Sequence, residues 1–123
     1  MATDHAPHST ADKTGPFSAA AFGFSASETA LPLLLDLVRS GRLTMADMIG
    51  RLTAGPARAF GLQAGTLKEG APADMCIFDP DEEWTVEADN LRSKGKNTPL
   101  LGARLLGRVR WTLVAGQIVH DAS

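Results

Sequence analysis

The chain has 123 residues, of which 44% are hydrophobic and 21% charged, and its formal net charge is −2. That is the size of one ordinary domain, apolar enough for a modest core and without the basic balance that nucleic acid or an anionic membrane would call for. A single cysteine, Cys76, excludes an internal disulfide and an all-cysteine zinc site, and suits a reducing cytoplasm.

The chain opens on TDHAPHST, Thr3 to Thr10, which puts Asp4, His5 and His8 close together across a proline. A carboxylate at a strand end ahead of a long loop is where an α/β barrel places catalytic groups, so Asp4 suits a metal ligand or a general base toward a metal-bound water. The plain alternative is an aspartate that caps the turn. Pro7 biases Ala6 toward an extended backbone and points the two imidazoles to different places, so they are not expected to chelate one ion together. One is expected to meet substrate while the other packs or bonds to the backbone; the alternative is two surface loop histidines. From His5 to about Phe24 no period is sustained, and Gly15, Pro16 and Gly23 punctuate the stretch. A loop of that length is functional or disordered, and its Asp-His head favours function. No basic stretch followed by an apolar core stands at the start, so no secretory leader is expected, and no apolar run is long enough to span a bilayer.

SASETALPLLLDLVRSG follows, with Leu31, Leu34, Leu35 and Val38 at helical spacing and Gly41 where a left-handed cap belongs. Ser25 and Glu28 have capping-box spacing, Ser27 is an equally good N-cap, and Pro32 is tolerated only in the first turn. A second helix is predicted from Thr44 as N-cap through Met45, Met48, Ile49 and Leu52. GPARAFG predicts a short third one, with Pro56 at its first position and Gly61 at its end. Beyond residue 62 the pattern turns to β. GTLKEGAPADMCIFDP offers a short strand, a turn at Glu69-Gly70 and an apolar run from Met75 to Phe78 stopped by Pro80. EWTVE predicts another strand, and VRWTLVAGQIVH a hairpin through Ala115-Gly116 with Val109, Trp111 and Leu113 on one face. LRSKGKNTPLLGARLLG, polar and glycine-rich at its start, reads as loop. Cys76 is expected in the core, His120 as a solvated strand-end residue and Lys94 to Lys96 as a solvated cluster; no phosphate-loop pattern is present.

A catalytic zinc takes three protein ligands and keeps one position open. Against that need stand Asp4, one or two neighbouring histidines and the remote His120. Such a set makes an incomplete site.

These residues resemble dihydroorotase, a cyclic amidohydrolase, over essentially the whole chain and in order. ATDHAPHS is similar to the family's segment at the end of the last barrel strand, and AAFGFSASETALPLLLDLV to the loop and helix that follow. GTLKEGAPADMCIFDP and SKGKNTPLLGARLLGRVRWTLVAGQIVHD resemble the returning strands of the small β-domain beside the barrel. The Asp-His-Ala-Pro-His and Ser-Lys-x-x-Asn-Thr-Pro strings are the specific part. Hydantoinases and allantoinases share the Asp-His pair and usually lack the second histidine at this spacing. The resemblance implies an α/β fold: residues 1–61 as the end of a metal-dependent TIM barrel, and 62–123 as strands of an adjoining β-sandwich domain. It implies Asp4 as metal-associated catalytic acid/base, His8 on a carboxylate-bearing substrate, and Phe22 and Gly23 against the dihydropyrimidine ring through backbone groups, Gly23 permitting the close approach. Zinc, as one or two ions, and dihydroorotate or N-carbamoyl-aspartate as substrate are implied with it, as is a homodimer or a transcarbamoylase complex for the full-length protein. His5 receives no role at the reacting centre.

Two departures stand out. Ala26 occupies a position where the family usually shows glycine. The family's His-x-His pair, carboxylated lysine, two further metal histidines, and substrate-holding arginine and asparagine have no counterpart here. A full barrel needs roughly 200 residues or more, so a C-terminal piece, inactive alone, is the expectation. A non-catalytic dihydroorotase-like subunit supporting aspartate transcarbamoylase, and another cyclic amidase, are the alternatives.

Overall fold

The computed structural model describes residues 1–122. Its longer helices precede its strands, giving an α/β chain with one three-stranded antiparallel sheet. The extended start runs into α1 (Thr10–Lys13), a single turn closed by a capping box in which the Asp12 amide donates to the Ser9 hydroxyl at 3.3 Å and the Ser9 amide to the Asp12 carboxylate at 3.1 Å. Four residues are too few to show a period, which is why this element lies inside a stretch that reads as loop.

A 3₁₀ turn (Ser27–Thr29) leads into α2 (Ala30–Arg39), and Pro32 falls in the first turn, where its missing N–H leaves no bond unmade. The predicted box between Ser25 and Glu28 does not form, and the N-cap, Ala26, has no side-chain bond to offer. Instead the Glu28 carboxylate accepts the amides of Arg92 at 2.8 Å and Ser93 at 3.0 Å. At the other end Gly41 adopts φ +71°, its N–H bonds Val38 and the Arg42 N–H bonds Leu37, each at 2.9 Å. That pair of bonds is a Schellman stop. The helix α3 (Met45–Leu52) begins at Thr44 with a capping box to Asp47. Next, α4 (Ala54–Phe60) ends on left-handed Gly61, with Pro56 third in the helix rather than first. Pro32 and Leu35 of α2, Met48 of α3 and Ala57 of α4 are buried.

The sheet runs β1 (Met75–Thr85), β2 (Arg104–Val114) and β3 (Gln117–Asp121) in that order. Pro80 does not stop β1. Asp79 faces Arg108 and Glu83 faces Leu106, so β1 advances four residues while β2 advances two, and Pro80 lies in the resulting bulge. The two strands predicted on either side of it are therefore one. β2 likewise begins at Arg104, inside the stretch read as loop because of its glycines. Gly107 is needed there: it has φ +113°, and a Cβ would stand 2.3 Å from the Leu35 methyl. A strand glycine of this kind marks the close approach of α2. Arg39 reinforces the contact by reaching the carbonyls of Pro80 and, at 3.4 Å, Leu106.

The hairpin turns at Ala115-Gly116 as predicted, with φ +49° and +80°. The Asp74 carboxylate accepts the Ala115 amide at 2.7 Å. Residues 61–74 contain the predicted turn at Glu69-Gly70 but not the strand, since no ladder partner faces them. Val86, Leu91 and Leu105 form the core beside the sheet, with Trp84, Leu100 and Ala103 against them. Cys76 is not in it. An irregularity between Ile77 and Phe78 breaks the alternation and leaves Cys76 exposed, although neighbouring atoms desolvate its sulfur enough to push the thiol above its ordinary value. Among the described residues no helix is long and apolar enough to cross a membrane.

Candidate active site

The two ends of the 6–23 loop meet in a single parallel bridge between His5 and Phe24, in which the Ala6 amide donates to the Phe24 carbonyl at 3.1 Å. Asp4 lies just before the bridge, exposed and in the left-handed region at φ +49°, a conformation that aspartate tolerates better than most residues. Asp4 is therefore an exposed residue beside the mouth of the loop.

The two imidazoles go to different places, in line with the reading of Pro7 between them. His5 Nδ1 accepts the backbone amides of Ala26 at 3.0 Å and Ser27 at 3.1 Å. His8, half-buried, lines a crevice of about 240 Å³ with Pro7, Ser9, Ser93, Lys94 and Gly95. Gly95 packs so closely that a Cβ would lie 2.7 Å from that of Pro7. It also brings the SKGKNTP segment directly against the Asp-His-Ala-Pro-His segment.

Phe22 is 89% exposed. Gly23 has φ +98°, and a Cβ there would stand 2.5 Å from the Ala6 Cβ. Glycine is thus demanded by the chain's own packing, whatever a substrate adds. Lys13 holds the carbonyls of Ala21 and, at 2.5 Å, Gly23. The Ser25 amide donates to the Asn97 carbonyl at 2.7 Å, and the Asn97 side-chain amide reaches the Gly23 carbonyl at 3.4 Å. Near the start of the loop, hydrogen bonds from Ser9 hold the Asp12 carboxyl below its ordinary value, with smaller contributions from His8 and Lys13.

Asp4, His5, His8, Phe22 and Gly23 therefore belong to one loop system. His120 does not: it sits half-buried on β3 and lines a separate hollow of about 340 Å³ with Pro32, Trp84 and Arg92. The solvated position expected for it is corrected by the bulged pairing of β3, which sets it opposite Thr112. Among the described residues no three of His, Cys, Asp and Glu are grouped to hold a metal. One lone pair of His5 is already committed to backbone amides, so the loop brings a proton-accepting carboxylate, an imidazole and backbone polar groups, but no complete metal site. The organising roles of His5, Lys13, Glu28 and Asn97 were not legible as such. His5 and Asn97 carried a signal through the specific strings around them, and the expectation that one of the two histidines bonds to the backbone is met by His5. Its partners Ala26 and Ser27 were not legible.

A model of the amidohydrolase family matches residues 1–120. A dihydroorotase from Anaeromyxobacter sp. (strain K) is 54% identical over 121 residues, covering 98% of this chain and 28% of that protein. The chain thus spans 28% of the length of that curated relative. A D-hydantoinase (dihydropyrimidinase) from Thermus sp. superposes with a TM-score of 0.84 at 27% identity, over 96% of this chain and 27% of its own. The inactive dihydroorotase-like domain of a Chaetomium thermophilum CAD-like multifunctional protein superposes with a TM-score of 0.58 at 27% identity, over 77% of this chain and 25% of that one.

Proposed function

The chain belongs to the amidohydrolase family, and on that footing we propose that it forms the C-terminal part of a dihydroorotase. The reaction is hydrolysis of dihydroorotate to N-carbamoyl-aspartate and the reverse closure, a step of pyrimidine biosynthesis in the cytoplasm. The observation that carries the reading is the convergence of its two specific strings, with Gly95 against Pro7 and Asn97 bonded to Gly23 and Ser25, in a chain 54% identical to a dihydroorotase. Residues 1–61 are the last strand end, loop and helices of a TIM barrel, and 62–123 are strands of the small domain beside it.

In this reading Asp4 is the catalytic acid/base. It takes a proton from the attacking water as the ring amide is hydrolysed, and returns it to the leaving nitrogen as the C–N bond breaks. His8 hydrogen-bonds the substrate carboxylate, and Phe22 and Gly23 contact the ring. Zinc is the expected metal, but this chain's residues do not make its site: three ligands are needed, and Asp4 is the one carboxylate offered. A homodimer or a transcarbamoylase complex is the expected assembly.

The test is turnover of dihydroorotate by the native protein that carries this chain, supplied with zinc, beside hydantoin, allantoin and dihydrouracil. Turnover of dihydroorotate, abolished by Asp4→Asn, is the expected result. Preference for hydantoin would mean another cyclic amidase, the class of the Thermus structure. A second reading, a non-catalytic subunit supporting a transcarbamoylase, is favoured by the likeness to an inactive dihydroorotase-like domain and opposed by the presence of Asp4 and His8. No turnover together with co-purification of a transcarbamoylase would establish it. The 123-residue chain alone, with too few metal ligands, is expected to show no turnover above a zinc control.

A further inference from the structure

A helix start leaves several backbone N–H groups without partners inside the helix. Where α2 and its leading 3₁₀ turn begin, the residue at the cap position is Ala26, which has no side-chain acceptor. Glu28, the residue spaced to serve a capping box, is spent on Arg92 and Ser93. The acceptor comes instead from His5, across more than twenty residues of chain, whose Nδ1 lies within 3.0 and 3.1 Å of the Ala26 and Ser27 amides. An imidazole accepting through Nδ1 is neutral and carries its proton on Nε2.

We propose that His5 is a positioning residue of the active site, its imidazole serving as the cap that fixes Asp4 relative to Phe22 and Gly23. This rests on the dihydroorotase reading given above. At its own end the tie is one peptide from Asp4, which holds a left-handed backbone that little else restrains. At the far end it grips the residues two and three beyond Phe24, and Gly23 lies pressed against Ala6. Beside Asp4 itself the closure is otherwise the one-residue bridge and its Ala6–Phe24 hydrogen bond. The further ties across the loop, from Lys13 to the Ala21 and Gly23 carbonyls and from the Ala21 amide to the Asp12 carbonyl, start five or more residues beyond the bridge. Removing the imidazole leaves the Ala26 and Ser27 N–H groups without this acceptor and loosens Asp4 relative to Phe22 and Gly23 at the end of the loop nearest to it. A misplacement of about 1 Å at a reacting group costs roughly 100-fold in rate.

The test compares His5→Leu with His5→Asn in the native protein carrying this chain. The Asn side-chain oxygen reaches roughly where Nδ1 stands, so it keeps the acceptor, whereas Leu keeps only bulk. Per folded molecule, His5→Leu is expected to lower kcat/KM for dihydroorotate by roughly 100-fold, with KM rising as kcat falls and with faster hydrogen exchange at the Ala26 and Ser27 amides. His5→Asn is expected to recover most of both. Loss of folded protein alone would lower the maximal rate with KM unchanged, and that pattern overturns the proposal. So does an Asn variant no better than the Leu variant, or unchanged exchange at the two amides. Should His5→Leu fail to fold, the proposal stands only if His5→Asn retains turnover and exchange protection together. Wild-type turnover of dihydroorotate is measured alongside, so a wrong substrate shows as its absence while the exchange arm still reports on the tie.

Discussion

From Met75 to Asp121 most of the chain's order comes from a registered backbone ladder, in which β2 pairs along both its edges. Between Asp4 and Glu28 there is one bridge pair, one capped helical turn and a few scattered backbone bonds, and much of the order comes from His5, Lys13, Asn97 and Glu28 acting on backbone groups and from Gly23 and Gly95 pressed against Ala6 and Pro7. A ladder spreads its energy over many equivalent bonds, so irregularities at Ile77–Phe78 and at Asp79–Glu83 are absorbed. A loop held by a few unlike ties has no such reserve. The same substitution should therefore cost more in the loop than in the sheet.

The sharpest way to break that comparison is a pair of glycine substitutions. Gly23 and Gly107 both have positive φ, +98° and +113°, and both would bring a Cβ too close to a neighbour, at 2.5 and 2.3 Å. The neighbours differ. At Gly23 it is the Ala6 Cβ, which cannot swing aside; at Gly107 it is the terminal methyl of Leu35, which can. Gly23→Ala is expected to cost roughly 3–4 kcal/mol and Gly107→Ala about 2 kcal/mol, by strain plus overpacking. Denaturant midpoints decide it, and equal losses would mean that the loop is no less adaptable than the helix–sheet contact.

Charged groups sharpen the contrast at smaller scale. Glu28 gives its two oxygens to two backbone amides 64 and 65 residues away. Glu83, in the sheet, pairs with Arg104 at 3.2 Å between two exposed side chains. Glu28→Gln can satisfy only one of those amides and should cost about 1–2 kcal/mol. Glu83→Gln should cost under about 0.5 kcal/mol, since exposed ion pairs contribute little. Thermal unfolding of the two variants in parallel would show the difference, or remove it.

What was legible in the sequence follows the same division. Thr44 as an N-cap, Gly41 and Gly61 as helix ends and Ala115-Gly116 as a hairpin turn are local signals, and local chemistry carried them through. Pro80 and Gly107 misled, because a proline or glycine in a strand is read as a stop unless the bulge or the approaching helix is known. Cys76 misled for a related reason: an apolar run predicts burial only if the pleat is regular. The membership of the loop was legible from the order of Asp4, His8, Phe22 and Gly23. What organises it was not, because a tie from His5 to Ala26 or from Glu28 to Arg92 depends on tertiary closure and leaves no spacing to read.

One strained position lies in the sheet itself, and it allows the opposite experiment. Ala115 holds φ +49° in the hairpin turn, a left-handed conformation that costs a residue with a Cβ about 1–2 kcal/mol. Ala115→Gly removes that cost, set against the greater freedom of glycine in the unfolded chain. A net gain of about 0.5–1 kcal/mol is expected, provided that the Asp74 carboxylate still accepts the amide of residue 115. A lower melting temperature would instead mean that Asp74 already offsets the strain.

The two capping boxes give the finest version of the comparison, because one sits at the head of the loop and the other starts α3. Hydrogen bonds from Ser9 lower the Asp12 carboxyl below its ordinary value of 3.8, and hydrogen bonds from Thr44 do the same for Asp47. A carboxyl lowered in the folded state contributes stability that is present above its unfolded value and lost as pH falls through its folded value. The difference in melting temperature between wild type and Asp47→Asn should therefore be steady at neutral pH and shrink below about pH 4. Asp12→Asn should follow the same course, with one distinction. His8 and Lys13 both lie close enough to Asp12 to lower it further, while Asp47 has only Arg51 in that role. Neutralising Lys13 as Lys13→Met should move the Asp12 titration upward, read by carboxyl NMR, and leave Asp47 where it was. If Asp12 does not move, the Lys13 charge has no part in lowering it, and Lys13 serves the loop only through the Ala21 and Gly23 carbonyls it holds.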